Sequence, residues 1–441
     1  MADGTRGTRT TKTRSTDQTE FLRHLFVPIY MPAILFATGE GALIPVVPLT
    51  AKALGSGLAG AGLISGLLMI GVVIGDIPSG FAVARWGETF AMRLAAVVAA
   101  VSAVACWMAP NLGVLAAGVL LIGIASATFN LARHSFLTAW TPWWYRARAM
   151  SLLGGTTRIG YFVGPFIAST VIALSGSRSV YWVHVGACIA VLVLLQVTPD
   201  PEKALAANLA AARADHGLGP RDDTPPRPAQ TPAAGSDVTA KQGTAKRHRL
   251  PVLTYFRILI RLGTAAGILQ MLRASRQVIL PLWGVQLDIP ESRIALIMGI
   301  AGAVDLSLFY TSGQVMDRFG RRWVAVPVLV GLSAAHLLLP LAGMEWSYVA
   351  VAVLMSLANG MGSGIVMTLG SDLASRYAAS DTPGFLGGWR TFTDTGSALG
   401  PLAISGMTAL TGLWSAAVLM GACGLVGAFL MLRFIPRLVG R

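Results

Sequence analysis

Apolar residues along this 441-residue chain gather into twelve stretches separated by short polar connections, with one long polar segment near the middle. Each stretch runs roughly 20–28 residues, long enough to cross the hydrocarbon of a bilayer as a helix. They predict helices 1 to 12 over residues 26–51, 59–84, 90–109, 112–139, 148–174, 179–198, 255–283, 293–316, 323–343, 347–374, 384–410 and 412–435. The first 25 residues are polar, and the apolar run after them is too long for a signal-peptide core, so helix 1 is expected to stay in the membrane. Residues 199–250 are rich in Pro, Ala and charge, with no apolar period. They read as a disordered linker with a short surface helix over 202–214 and a basic cluster at Lys246, Arg247, His248 and Arg249. The expected organisation is a tail (1–25), a six-helix bundle (26–198), the linker (199–250), a second bundle (251–436) and a tail (437–441).

The second bundle repeats the first. Gly313-Gln314-Val315-Met316-Asp317-Arg318-Phe319-Gly320 follows Gly80-Phe81-Ala82-Val83-Ala84-Arg85-Trp86-Gly87 at an offset of 233 residues. Gly396, Gly400 and Pro401 follow Gly160, Gly164 and Pro165 at an offset of 236. Two motifs at nearly one offset, each at the same place in its run of helices, point to an all-α membrane protein. Its fold class is twelve transmembrane helices in two parallel-repeat six-helix bundles.

Composition agrees: 54% of residues are hydrophobic and 12% charged, about half the charged share of a soluble domain. The net charge of +14 is a topology signal. Arg6, Arg9, Lys12, Arg14, Arg23, Arg85, Arg146, Arg148, the linker, Arg318, Arg321, Arg322, Arg376, Arg433, Arg437 and Arg441 fall in one set of connections. Lys52, Arg178 and Arg293 fall in the other. The positive-inside rule then places both termini and the linker in the cytoplasm of an inner (plasma) membrane protein, and removes any need for a nucleic-acid partner. Cys106, Cys188 and Cys423 lie inside apolar helices as packing residues, and no metal-ligand spacing accompanies them. The sequence has no phosphate-cradling Gly-x4-Gly-Lys-Ser/Thr loop and no nucleophile–base set, so neither an ATP-driven pump nor an enzyme is expected, and no cofactor. Energy must come from a gradient of ions or of the substrate itself.

The connection between helices 8 and 9 carries Gly313, Asp317, Arg318, Gly320, Arg321 and Arg322 in the spacing Gly-x3-Asp-Arg-x-Gly-Arg-Arg. Helix 1 carries Gly39, Pro45 and Pro48, and helix 11 carries Gly387, Gly396, Gly400 and Pro401, with a partial copy at Gly160, Gly164 and Pro165 in helix 5. On these motifs the chain resembles the major facilitator superfamily, and its twelve-helix drug:proton antiporter branch in particular. The resemblance implies a cavity lined by helices 1, 4, 7 and 10, with helix 5 meeting helix 8 and helix 11 meeting helix 2. It implies that Asp317 latches against the N-terminus of helix 5, with a topogenic basic loop as the alternative, and that the glycines of helices 5 and 11 serve close approach to the opposite half, with plain packing glycines as the alternative. The chain departs from the pattern in two places. Ala84, Glu88 and Thr89 stand where the first-half loop would carry its Asp and basic pair, and Val119 stands where drug antiporters carry an Arg linked to proton coupling.

Ionisable residues at membrane depth hold the functional signal, because each costs a few kcal/mol if it faces lipid. They are Glu40, Asp76, Arg133, Arg158, Arg273, Arg276, Asp305, Arg390 and Asp394. Glu40, Arg133, Arg273 and Arg276 fall on the helices the resemblance assigns to the cavity and are the candidates for substrate and proton binding. Counting from helix ends puts Arg158 and Asp305 both roughly 15–17 Å deep, so they can pair between helices 5 and 8. Asp76 lies near the level of Arg390, which Asp394 can share four residues on. These pairs are candidate gates, and permanent structural pairing is the alternative. Glu40 is the candidate proton carrier, against a fixed counter-ion to Arg133 or Arg273. His184 and His336 read as packing residues.

The expected protein is a monomeric secondary transporter that works by alternating access, with lipid, protons and a small-molecule substrate as partners. Proton-coupled efflux of small amphipathic drugs or metabolites is the leading reading. The arginines lean toward an anionic or zwitterionic substrate, and an importer or facilitator of a small organic anion or sugar-like solute is the alternative. A transport-inactive receptor or scaffold working through its linker is the third.

Overall fold

The computed structural model describes residues 29–140, 146–197, 255–378 and 382–438. The N-terminal tail, the linker with the surface helix and basic cluster expected in it, and residues 439–441 lie outside them. The described chain forms α1 (Met31–Ala53), α2 (Leu58–Trp86), α3 (Glu88–Trp107), α4 (Leu112–Trp140), α5 (Arg146–Ser175) and α6 (Tyr181–Val197). The second half forms α7 (Thr264–Gln286), α8a (Glu291–Ser307), α8b (Phe309–Phe319), α9 (Arg322–Leu338), α10a (Glu345–Met361), α10b (Ile365–Tyr377), α11 (Thr382–Thr411) and α12 (Leu413–Leu438). A single turn (Phe256–Ile258) and a π-helical turn (Leu259–Gly263) lead into α7.

Nine helical stretches among the described residues are long and apolar enough to cross a membrane. The ones that fall short are α7, α8 and α11, which carry Arg273 and Arg276, Asp305, and Arg390 with Asp394. Five of the nine ionisable residues expected at membrane depth thus lie on these three helical columns. The tight turns α2–α3 and α8b–α9 each run through a glycine with positive φ, Gly87 at 82° and Gly320 at 90°, which a side chain would strain. They occupy equivalent places in the repeat, and they are the reason glycine marks both copies of the loop motif.

Helices 8 and 10, read from the sequence as continuous, are each interrupted. Near the break at Leu308 the hydroxyls of Ser307 and Thr311 bond back to the carbonyls of Val304 and Leu308 (2.8 and 2.9 Å), competing with the helical ladder. Helix 10 breaks across Gly362, Ser363 and Gly364, where Gly364 takes a φ of 80°. An apolar count over 347–374 is blind to this, because glycine does not interrupt hydropathy.

Within each half α1 packs on α5 and α2 on α4, and the second half repeats this with α7 on α11 and α8a on α10a. The motif glycines serve these contacts, which corrects the expectation that they face the opposite half. A Cβ on Gly160 or Gly164 would strike the backbone of α1 at Thr38 or Ala42, and one on Gly396 or Gly400 the backbone of α7 at Gly267 or Met271. The halves meet instead through α5 against α8a and α2 against α11. On α5 the interface residues are Arg158, Phe162 and Phe166, facing Asp305, Gly302 and Gly299. They are two residues out of step with Gly160 and Gly164, or roughly 200° around the helix. Pro401 does reach across, against Gly66.

These cross-half contacts cluster at the end remote from the signature loop. Ser405 donates to the Ala59 carbonyl (2.7 Å) and Ser169 to that of Ser292 (2.8 Å). At the signature-loop end the facing glycines are free: a Cβ at Gly80, Gly154, Gly155, Gly313 or Gly387 would meet open space. The structure is therefore closed at one end of the bundle and open at the end carrying the Gly313–Arg322 loop.

Two substitutions separate the tight glycine face from the open one. Gly396→Val should lower stability by about 1–3 kcal/mol through overpacking, read as a fall in melting temperature in detergent. Gly387→Ala should stay within about 0.5 kcal/mol of the parent. Equal melting temperatures for both variants would contradict this assignment of faces.

Candidate functional site

At the level where the closed end gives way to the open one, α5, α7, α8a and α10a bring together three arginines and one carboxylate. Arg158 of the first half meets Oδ1 of Asp305 at 3.4 Å, and Arg276 of α7 meets Oδ2 at 3.4 Å. Asn359 of α10a donates to the same Oδ2 at 2.6 Å. Arg276 also donates to Ser356 Oγ (2.8 Å). Arg273, three residues back on the same face of α7, donates to Gln270 Oε1 (3.0 Å) and to the carbonyl of Gly362 in the helix 10 break (2.7 Å). The side chains of Arg158, Asp305 and Arg276 are 26%, 15% and 13% exposed, so the cluster is half-sheltered rather than sealed.

The cluster is short of acceptors. The Nε groups of Arg273 and Arg276 are buried without a hydrogen-bond partner in the protein, and so is Oδ1 of Asn359. The two contacts to Asp305 are longer than the 2.7–2.9 Å of a close guanidinium–carboxylate bond, so a single carboxylate is shared loosely among competing cations. Buried guanidinium groups demand anionic or carbonyl acceptors, and an uncompensated one costs several kcal/mol. What the arrangement can do is accept another anion.

The other two predicted site residues lie apart, inside the first half. Glu40 on α1 and Arg133 on α4 are 4% and 5% exposed. Glu40 faces Tyr161, which hydrogen-bonds to it, with Ser126 and Arg133 nearby. Arg133 Nε is buried without a hydrogen-bond partner. Arg133 donates to Thr157 (2.9 Å). The predicted four-residue set is thus split into an enclosed pair and an accessible one.

The interface of α2 with α11 holds a crevice of about 360 Å³ lined by Asp76, Leu131, Gly387, Arg390, Thr391 and Asp394, among others. Arg390 lies 4.0 Å from Asp394 on its own helix. Asp76 faces Arg390 across the crevice and senses its charge without an ion pair. In the signature loop Arg321 donates to Asp372 of α10b (2.8 Å), and Arg318 lies over the ring of Phe319. Arg322 is exposed at the start of α9. The side chain of Asp317 lies outside the described residues. At the repeat equivalent of Arg321, Glu88 instead accepts from Ser135 (2.9 Å). His184 and His336 are fully buried in packing positions, as expected of them.

Several contacting residues escaped the sequence reading. Gln270 and Asn359 are amides in apolar helices, a signal that was available. The Gly362 carbonyl had only the run Gly360-x-Gly362-Ser363-Gly364 to announce it. Ser356, Thr157 and Tyr161 carry no charge to mark them, and Asp372 lies within α10b, inside the stretch predicted as one helix over 347–374.

The family model described as the Major Facilitator Superfamily matches residues 30–303 and 262–440. A rice protein (Oryza sativa subsp. japonica) named "Probable anion transporter 6" is 26% identical over 155 residues, 35% of this chain and 36% of that protein's length. The chain therefore spans about a third of that relative. Among solved structures, the xylose transporter XylE from E. coli, in a partially occluded inward-open conformation, superposes with a TM-score of 0.65 at 15% identity. That match covers 94% of this chain and 99% of the other. A POT family transporter in complex with a thioalcohol-conjugated peptide gives 0.70 at 11% identity over 94% and 96%. A D-xylose–proton symporter gives 0.68 at 16% over 95% and 99%. These likenesses establish the fold, and the match over nearly all of both halves means that the chain belongs to the Major Facilitator Superfamily.

Proposed function

We propose that this transporter moves a small organic anion by alternating access, binding it at the arginine cluster between the halves. The observation that carries the reading is the acceptor deficit. Across the enclosed and accessible groups four guanidiniums (Arg133, Arg158, Arg273, Arg276) stand against two carboxylates (Glu40, Asp305). Two of the accessible arginines keep unbonded N–H groups. Such a site disfavours the cationic amphiphiles that drug efflux would require. The similarity to a protein named as an anion transporter supports the same choice. Carboxylate is the matching chemistry, because a guanidinium fork binds it through two parallel bonds.

The basic connections belong to the open end, so the open end is assigned to the cytoplasm by the positive-inside rule. Proton coupling is assigned to Glu40. It faces one guanidinium, whereas a proton arriving at Asp305 would have to displace two. The protein is taken to work as a monomer, since one chain supplies both halves and a buried core continuous between them.

Purified protein should be stabilised against heat by mono- or dicarboxylates, and not by organic cations or neutral sugars. Arg276→Gln and Arg273→Gln should each weaken carboxylate binding roughly 10- to 100-fold, the loss of about 1.5–3 kcal/mol of charge-assisted bonding. Arg276→Lys should recover only part of it. Stabilisation by cations or sugars, with carboxylates inert, would overturn the reading.

Coupling is tested separately in proteoliposomes. Glu40→Gln should abolish accumulation driven by a pH gradient while sparing anion exchange. Undiminished uphill transport by that variant removes Glu40 from the role.

A further inference from the structure

The nine ionisable residues expected at membrane depth fall into three groups, and the groups are unequally balanced. On α1 and α4, Glu40 stands against Arg133, one charge of each sign. In the α2–α11 crevice Arg390 stands with Asp76 and Asp394, one negative charge in excess. The central cluster is different. Arg158 and Arg276 share Asp305, and Arg273 senses the charges of all three. Three guanidiniums less one carboxylate leave two positive charges. Like charges this close repel across a medium that screens poorly, and a ligand of matching charge relieves that repulsion.

The residual charge is also divided in space. Arg276 reaches Ser356 Oγ (2.8 Å) and Arg273 reaches the Gly362 carbonyl (2.7 Å). Those acceptors are six residues apart on helix 10, about 9 Å of helix rise, so the two guanidinium forks diverge. Both acceptors are neutral, and a carboxylate makes a guanidinium bond about twice as strong. Asp305 consumes neither fork. Its Oδ2 takes its shortest bond, 2.6 Å, from the Asn359 amide and stands 3.4 Å from Arg276. Asn359 therefore keeps the carboxylate in place when an arginine turns to another anion. Asp305 stays in the site as a fixed negative charge beside the ligand.

We infer that the cluster takes a dianion whose two negative groups are separated, a small dicarboxylate, and that Asp305 sets this valence by cancelling one of three positive charges. This rests on the function proposed above and narrows its cargo from carboxylates in general to dianions. One carboxylate of the ligand meets the fork of Arg273 and the other that of Arg276. A monocarboxylate leaves one positive charge uncompensated, which is costly in a sheltered site. A trianion brings a third carboxylate against Asp305 as a like charge. Asp305 is thus the specificity-determining residue, although its own bonds are to the protein.

The test is calorimetric titration of the purified full-length protein at mildly alkaline pH, where every carboxyl of the probes is ionised. Succinate, its monomethyl ester, tricarballylate and sulfate separate charge from shape. The ester keeps the succinate skeleton with one charge fewer, and sulfate carries two charges on one compact group. Succinate should bind roughly tenfold tighter than the ester and than sulfate, the size of one charge-assisted contact, and no more weakly than tricarballylate. Equal affinity for succinate and its ester overturns the dianion but leaves an anion transporter standing. Sulfate or tricarballylate binding more tightly than succinate overturns the dicarboxylate. No binding by any carboxylate overturns the proposed function itself. Asp305→Asn removes one negative charge at nearly constant size and should shift preference from succinate toward tricarballylate about tenfold. A carboxylate with only a structural role would weaken all four probes alike, and that result removes Asp305 from setting the valence. Arg158→Gln is the independent arm, and decides alone if Asp305→Asn does not fold. With one positive charge fewer, the protein should bind succinate no more tightly than the ester; a retained advantage for succinate overturns the charge-matching argument.

Discussion

A guanidinium group inside a membrane protein must find acceptors, and much of the interior is arranged around how few there are. Arg273 and Arg276 reach one shared carboxylate, one amide oxygen, one hydroxyl and one backbone carbonyl, and both keep a buried Nε without a partner. The carbonyl is accessible because helix 10 is interrupted there. Irregular backbone at membrane depth is tolerated where it lines protein or a cavity, since exposed peptide groups cannot be satisfied by lipid. The break at Gly362–Gly364 and the charge of Arg273 thus answer each other: the arginine supplies a donor the loosened backbone lacks, and the backbone supplies an acceptor the arginine lacks.

The two halves share a backbone plan without sharing chemistry. At the 236-residue offset of the glycine motif, Pro45 corresponds to Pro281, Glu40 to Arg276, and Arg158 to Asp394. Pro45 is retained, Glu40 and Arg158 have counterparts of opposite sign, and Asp76, Arg133 and Asp305 have uncharged ones. Although the equivalents of the α5–α8a pair lie at α11–α2, one cross-half interface holds a half-sheltered ion pair. The other holds a crevice where Asp76, Arg390 and Asp394 remain apart or loosely joined. The scaffold is thus symmetric while its charge is not, and the arginine cluster lies at only one of the two cross-half interfaces.

Much of this was legible in the sequence, and what was not has identifiable causes. Hydropathy marked each helical column to within a few residues, because lipid-facing length is a one-dimensional property. Depth counting brought Arg158 to Asp305 because helix rise is constant. It could not tell that Asp305 also binds Arg276 and Asn359, which depends on how α7 and α10a are rotated. Rotation explains the misassigned glycines as well. Gly160 and Arg158 are two residues apart, so they address different neighbours, and neither spacing nor composition states which face meets which helix. The enclosure of Glu40 by Tyr161 and Arg133 is a three-helix property with no local mark. The interruptions in helices 8 and 10 left traces in hydroxyl and glycine residues, but such traces are common in membrane helices that do not break.

The distribution of contacts between the halves also says what kind of switch this is. The closed end is held by small residues and hydroxyl-to-carbonyl bonds, such as Gly66 under Pro401, Ser405 on Ala59 and Ser169 on Ser292. Contacts of that kind are short-range and shape-dependent, so they are lost together once the surfaces part. The open end carries Asp76, Arg390, Arg318 and Arg322, whose interactions reach further and exchange partners readily. The central ion pair between Arg158 and Asp305 lies at the boundary, adjoining the last packed layer of Phe162 on Gly302. A rotation about that layer would separate the short-range contacts on one side and bring charges together on the other. Under such a rotation the pair nearest the boundary would change least in distance, because displacement grows with distance from the axis.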